Sequence, residues 1–81
     1  MQLESAIEKE RGPMALERKT LKEIRLTNMY SQQELADLLD VQQSTVWRWE
    51  KDVVSVAFVN RRAICRLFEM DPTSIKWPQE S

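Results

Sequence analysis

The 81 residues carry 12 basic and 13 acidic side chains, 42% apolar residues, one cysteine and no histidine. A chain this short forms one small domain with one modest core, and with no histidine and no second cysteine it excludes a disulfide framework, a zinc site and a histidine-based catalytic centre. The net charge of −1 gives no overall basic footprint of the kind nucleic-acid binders usually show, so any such affinity must be local.

Residues 1–13 are expected to form an N-terminal arm closed by Gly12-Pro13, with Leu3 and Ile7 one helical turn apart. The arm either frays or packs on a partner. It is charged throughout and lacks a signal-peptide core, and no stretch of the chain approaches the roughly 20 apolar residues of a membrane span. Pro13 suits a first helical turn. Helix one is predicted over 14–28, with Leu21, Ile24 and Ala15 or Leu16 inward, and Asn28 as a left-handed C-cap. Ser31 and Glu34 form a capping box that opens helix two, 32–39, which buries Leu35, Ala36 and Leu39.

Asp40-Val41-Gln42 makes a turn in which Val41 plugs the junction. Helix three is predicted over 43–51. It turns Val46, Trp49 and Glu50 to one side, and Gln43, Ser44, Trp47, Arg48 and Lys51 to an exposed stripe on the other. Ser55 is expected to cap helix four, 56–68, with Phe58, Ile64, Cys65, Leu67 and Phe68 inward and Arg61, Arg62 and Arg66 outward. The lone thiol reads as a small core hydrophobe and fits a reducing compartment, hence the cytoplasm. Asp71-Pro72 opens a short helix five that Trp77-Pro78 ends, leaving a tail at 78–81. The expectation is an all-α domain over 14–77, five short helices around one core, with no strands.

The phrase Gln32-Gln33-Glu34-Leu35-Ala36, then Val41, then Ser44-Thr45-Val46-Trp47-Arg48-Trp49-Glu50, resembles the lambda-repressor/Cro-type helix-turn-helix family, also called the XRE family. The resemblance runs from about Leu16 to Ile75. It implies binding to double-stranded DNA with helix three in the major groove and its first residues on base edges. By resemblance, Gln43 and Ser44 are the first base readers, and Arg48 takes guanine or a phosphate. Gln32 holds a phosphate and braces the first reader. Ser31, Gln42 and Lys51 are further phosphate candidates, since a helix N-terminus offers free N–H groups to an anion. Arg25 and Glu50 stand where the family pairs helix one with the end of helix three. Trp47 has two readings, contact with a thymine methyl or with a protein.

The sequence departs from the family at Met29, Asp40 and Asp52, where relatives often carry glycine, and Asn28 is expected to take the strained conformation at the first of these. The loop Asp52-Val53-Val54-Ser55-Val56 replaces a segment that is basic in many relatives, which predicts a shallow salt dependence. Amides near Ser55 to Phe58, with Arg61 and Arg62, can still meet phosphate, and Val53, Val54 and Val56 are either core or a partner-facing patch.

The resemblance implies a phage repressor/Cro-type regulator, a homodimer on a two-fold operator with half-sites about one helical turn apart. Ile75, Trp77 or the N-terminal arm would supply the dimer contact. The alternative is a protein-interaction module on the same fold, an antitoxin or a regulator that grips another repressor or a toxin. An enzyme is not expected, as there is no phosphate-binding glycine loop and no nucleophile with a base. No cofactor, metal or small-molecule ligand is expected.

Overall fold

The computed structural model describes residues 18–80. Four helices form over that span: α1 (Leu21–Thr27), α2 (Gln32–Leu39), α3 (Gln43–Glu50) and α4 (Phe58–Phe68). All fall short of the roughly 12–15 residues at which an isolated helix becomes marginally stable in water. Their ends and their packing therefore decide whether they form.

Two of the four begin with reciprocal capping boxes. Ser31 Oγ accepts the Glu34 amide at 3.0 Å, and the Glu34 carboxylate accepts the Ser31 amide at 2.8 Å. Thr20 and Glu23 repeat the device, at 3.2 and 2.9 Å. The Thr20 box sets the start of α1 at Leu21 and corrects the expected start at 14. Residues 14–17, and the arm with Leu3 and Ile7, lie outside the described residues. The box also holds the Glu23 carboxyl below its ordinary pKa, chiefly through the Thr20 amide.

All four helices end the same way. The first or second residue beyond the helical end turns left-handed: Met29 at φ 62°, Asp40 at 60°, Asp52 at 61° and Glu69 at 54°. Its amide and the next one bond back to the last turn, as in Tyr30 N to Arg25 O and Val53 N to Arg48 O, 3.1 and 3.0 Å. This is the Schellman ending, which glycine adopts without penalty. Asn28 sits at φ −93°, so Met29 and not Asn28 takes the left-handed position.

The second half departs further from expectation. The N-cap of α4 is Ala57, with no side-chain bond, and Ser55 caps nothing. Val56 is drawn into the core at 3% exposure, which holds the chain extended for two residues past Ser55. Phe58 is 73% exposed, not inward. Arg61 is half-buried: its Nε donates to Val56 O at 3.0 Å and its guanidinium lies 5.1 Å over the Trp77 ring.

In place of a fifth α-helix, Asp71 caps a single 3-10 turn, Pro72–Ser74. The chain then extends as β2 (Ile75–Lys76) and pairs in parallel with β1 (Lys19–Thr20), Lys19 opposite Ile75. The strand-free expectation is thus corrected by one short bridge in an otherwise helical fold. Leu21, Ile24, Leu35, Ala36, Leu39, Val46, Trp49, Val56, Ile64, Ile75 and Trp77 form one buried cluster, with Val41, Cys65, Leu67 and Phe68 packed against it. Each large apolar side chain buried there contributes about 1.5–3 kcal/mol. Ile75 and Trp77 are used up in that core, at 0% and 5% exposure, and are not free to join two subunits. Burial pushes the Cys65 thiol above its ordinary pKa, with Asp71 adding to the shift.

Candidate nucleic-acid interface

Helices α2 and α3 are joined by Asp40–Gln42, with Leu35, Ala36 and Leu39 of one and Val46 and Trp49 of the other in the shared core. Burying Val46 and Trp49 sends Ser44, Trp47, Arg48 and Lys51 to the surface, with Gln43 half-exposed at the start of the helix. The stripe expected from helical spacing is therefore continuous along α3.

The far end of this helix is locked by Arg25. Its Nε donates to Glu50 Oε2 at 2.6 Å, its Nη2 to Glu50 Oε1 at 3.0 Å, and its Nη1 to Tyr30 O at 2.9 Å. The two side chains are only 8% and 4% exposed. Forked geometry matters at such depth, because a buried charge without bonded partners is strongly destabilising. The Glu50 hydrogen bond raises the Arg25 pKa further, so the guanidinium stays charged.

From Glu50 a relay runs to the near end of α3. Gln32 Nε2 donates to Glu50 Oε1 at 2.9 Å, and Gln43 Nε2 donates to Gln32 Oε1 at 2.5 Å. The direction of the relay follows from chemistry. A carboxylate only accepts, so Gln32 must turn its NH2 to Glu50 and its oxygen to Gln43. Gln43 must answer with its own NH2. Its Oε1 and one remaining N–H have no partner among the described residues, which leaves an acceptor beside a donor on the exposed side.

The remaining predicted residues surround this point. Ser31 spends its amide and one acceptor lone pair on the capping box, and keeps its hydroxyl hydrogen. Gln42 is the exposed N-cap of α3 and makes no side-chain cap bond. Lys51 lies with Nζ 5.6 Å over the Trp47 ring, one turn below it. Between α1, α2 and α3 lies a shallow recess of about 340 Å³ with Lys22, Gln32, Trp47 and Lys51 on its walls and Arg25 and Glu50 also lining it. Lys22 was not singled out from the sequence. Its place three residues before Arg25, on the first helix and one helical turn away, was the available signal. In the loop beyond α3, Val53 and Val54 are exposed while Val56 is core, so the two readings of this segment divide between its residues.

No helix among the described residues is long and apolar enough to cross a membrane. No curated protein and no solved structure matches the chain. Residues 21–75, more than half of the chain, match the family model described as helix-turn-helix. With a paired α2 and α3, an exposed polar stripe and this match, the chain belongs to the XRE, lambda-repressor-type helix-turn-helix family of DNA-binding transcription regulators.

Proposed function

We propose that this protein is a repressor that reads a two-fold operator through α3 in the major groove, as a homodimer in the cytoplasm. The observation that carries the reading is the relay from Arg25 through Glu50 and Gln32 to Gln43. It leaves Gln43 offering one acceptor and one donor side by side. Adenine presents the complementary pair in the major groove, a donor at N6 and an acceptor at N7. Gln43 is thus an adenine reader whose orientation is set before DNA arrives. Arg48, a turn further along, takes guanine, Ser44 takes a neighbouring base edge, and Trp47 lies against a thymine methyl with Lys51 packed on its ring. Ser31, Gln32, Gln42 and Lys51 hold phosphates, and Lys22 joins them from α1. Residues 1–13 are an arm, and the domain begins near residue 14.

The acidic loop position Asp52 and the exposed Val53 and Val54 leave few cations beside the groove. Each phosphate neutralised adds about 0.9 to the slope of log affinity against log salt, so the slope is shallow. Selection of bound duplexes from a random library at two salt concentrations tests the proposal. A two-fold consensus with adenine in each half-site supports it. Equal recovery of all sequences rejects it.

The second reading, a module that grips another protein, rests on Phe58 and Val59, 73% and 69% exposed side by side at the start of α4. The same selection separates the two, because a module of that kind enriches no duplex.

A further inference from the structure

Besides the Arg25–Glu50 pair, a second tie holds the C-terminal end of α3, and it comes from residues 77–80. Asp52, in the left-handed position that ends α3, presents its carboxylate and its carbonyl to one residue. The Gln79 amide donates to Asp52 Oδ1 at 2.7 Å, and the Gln79 side-chain NH2 donates to Asp52 O. Gln79 is itself left-handed at φ 59°. It is held there from both sides: Trp77 is 5% exposed, and Glu80 accepts the Trp77 amide at 3.0 Å and the Arg18 guanidinium at 2.7 Å. Both ends of the described chain, Arg18 and Glu80, thus converge on the turn that closes α3.

We infer that Gln79 is a positioning residue for DNA reading, acting through Asp52. Two bonds of the helix ending already run through this turn, Asp52 N to Trp49 O at 3.1 Å and Val53 N to Arg48 O at 3.0 Å, but Asp52 is exposed and the exposed Val53 and Val54 that follow it lie outside the buried core. Lys51 precedes it directly and Val56 re-enters the core four residues later. Clamping Asp52 fixes the path between them, and with it the tilt of α3 and the reach of Lys51. The inference rests on the DNA-binding reading proposed above, so its test carries a readout that needs no DNA.

Three variants isolate the clamp: Asp52→Asn, Asp52→Gly and Gln79→Ala. Asparagine keeps the Oδ1 acceptor and tolerates left-handed backbone. Glycine keeps the backbone and removes the acceptor. Both remove the charge, so their difference reports the hydrogen bond and not electrostatic repulsion from DNA. The ratio of affinity for a selected duplex to that for a scrambled duplex is measured for each. The expected result is Asp52→Asn at the wild-type ratio or above, with Asp52→Gly and Gln79→Ala lower by about three- to tenfold, a typical coupling between contacting groups. Equal ratios for Asp52→Asn and Asp52→Gly overturn the inference. Amide hydrogen exchange at Asp52 and Val53 decides it independently if the wild type selects no duplex. Faster exchange in Gln79→Ala supports the clamp, and unchanged exchange overturns it.

Discussion

At its N-terminal end α3 is held by one amide pair, Gln43 on Gln32, half-exposed at the surface. At its C-terminal end it is held by an ion pair that is almost wholly buried and by a left-handed turn tied to residues 77–80. The near end keeps an acceptor and a donor of Gln43 open, so a base edge can be added without breaking the bond that orients the side chain. The far end is made of groups that cannot leave without exposing or orphaning a charge. The difference places open hydrogen-bonding groups where contact with base edges is expected, and closed, buried bonds where the angle of the helix is set.

The comparison can be broken from its rigid side first. Arg25→Met leaves Glu50 buried with Gln32 as its one remaining side-chain donor, and is expected to cost about 3–5 kcal/mol, read as a lower urea midpoint. Next come the proposed reader positions. Gln43→Ala and Arg48→Ala should each lose about 1–3 kcal/mol of discrimination between operator and mismatched duplex, with thermal stability nearly unchanged. Gln32→Ala connects the two ends. Its Glu50 partner keeps both Arg25 bonds, so the stability loss should be about 0.5–1.5 kcal/mol, while the preference for adenine falls because Gln43 is free to flip. Met29→Gly and Glu69→Gly sharpen the picture from outside the interface. Relief of a left-handed penalty of about 1–2 kcal/mol, offset by the added freedom of unfolded glycine, should raise the melting temperature slightly without altering specificity.

The smallest effect is on pH. Hydrogen bonds hold the Glu23, Asp71 and Glu80 carboxyls below their ordinary values, led by the Thr20 amide, the Thr73 amide and the Arg18 guanidinium respectively. A lowered folded value stabilises the fold above the unfolded value and is lost as pH falls through the folded one. Since all three groups are exposed, the expected outcome is a shallow loss of stability confined to the region below about pH 4.5, checked by carboxyl titration in NMR.

The central motif was legible because its signals are local. Ser31 and Glu34 mark the start of α2, and the period of Leu35, Leu39, Val46 and Trp49 marks which faces turn inward. The bounds of α2 came out as expected, and those of α3 differ by one residue at the C-terminal end. Misreadings arose where a distant contact outweighed a local preference. The helix-forming run before Thr20 suggested an earlier start, but Thr20 closes a capping box and Lys19–Thr20 pair with Ile75–Lys76, far along the chain. The same pairing turned an expected fifth helix into one 3-10 turn and a strand. Ser55 was the better local cap than Ala57, yet the core's claim on Val56 moved the start of α4. Asn28 was the better left-handed residue than Met29, yet Asn28 spends its side chain on Ile24 O at 2.8 Å and the turn falls one residue later. The orientation of Gln43 was legible only once the donors and acceptors of the whole relay could be followed back to Glu50.

One measurement bears most directly on the reading role of α3: competition of a selected duplex against its variant with the half-site adenine replaced, for wild type and Gln43→Ala side by side. A wild type that prefers adenine by about tenfold or more, and a Gln43→Ala variant that binds both duplexes alike, is the predicted result. Retention of the full adenine preference by Gln43→Ala would contradict it.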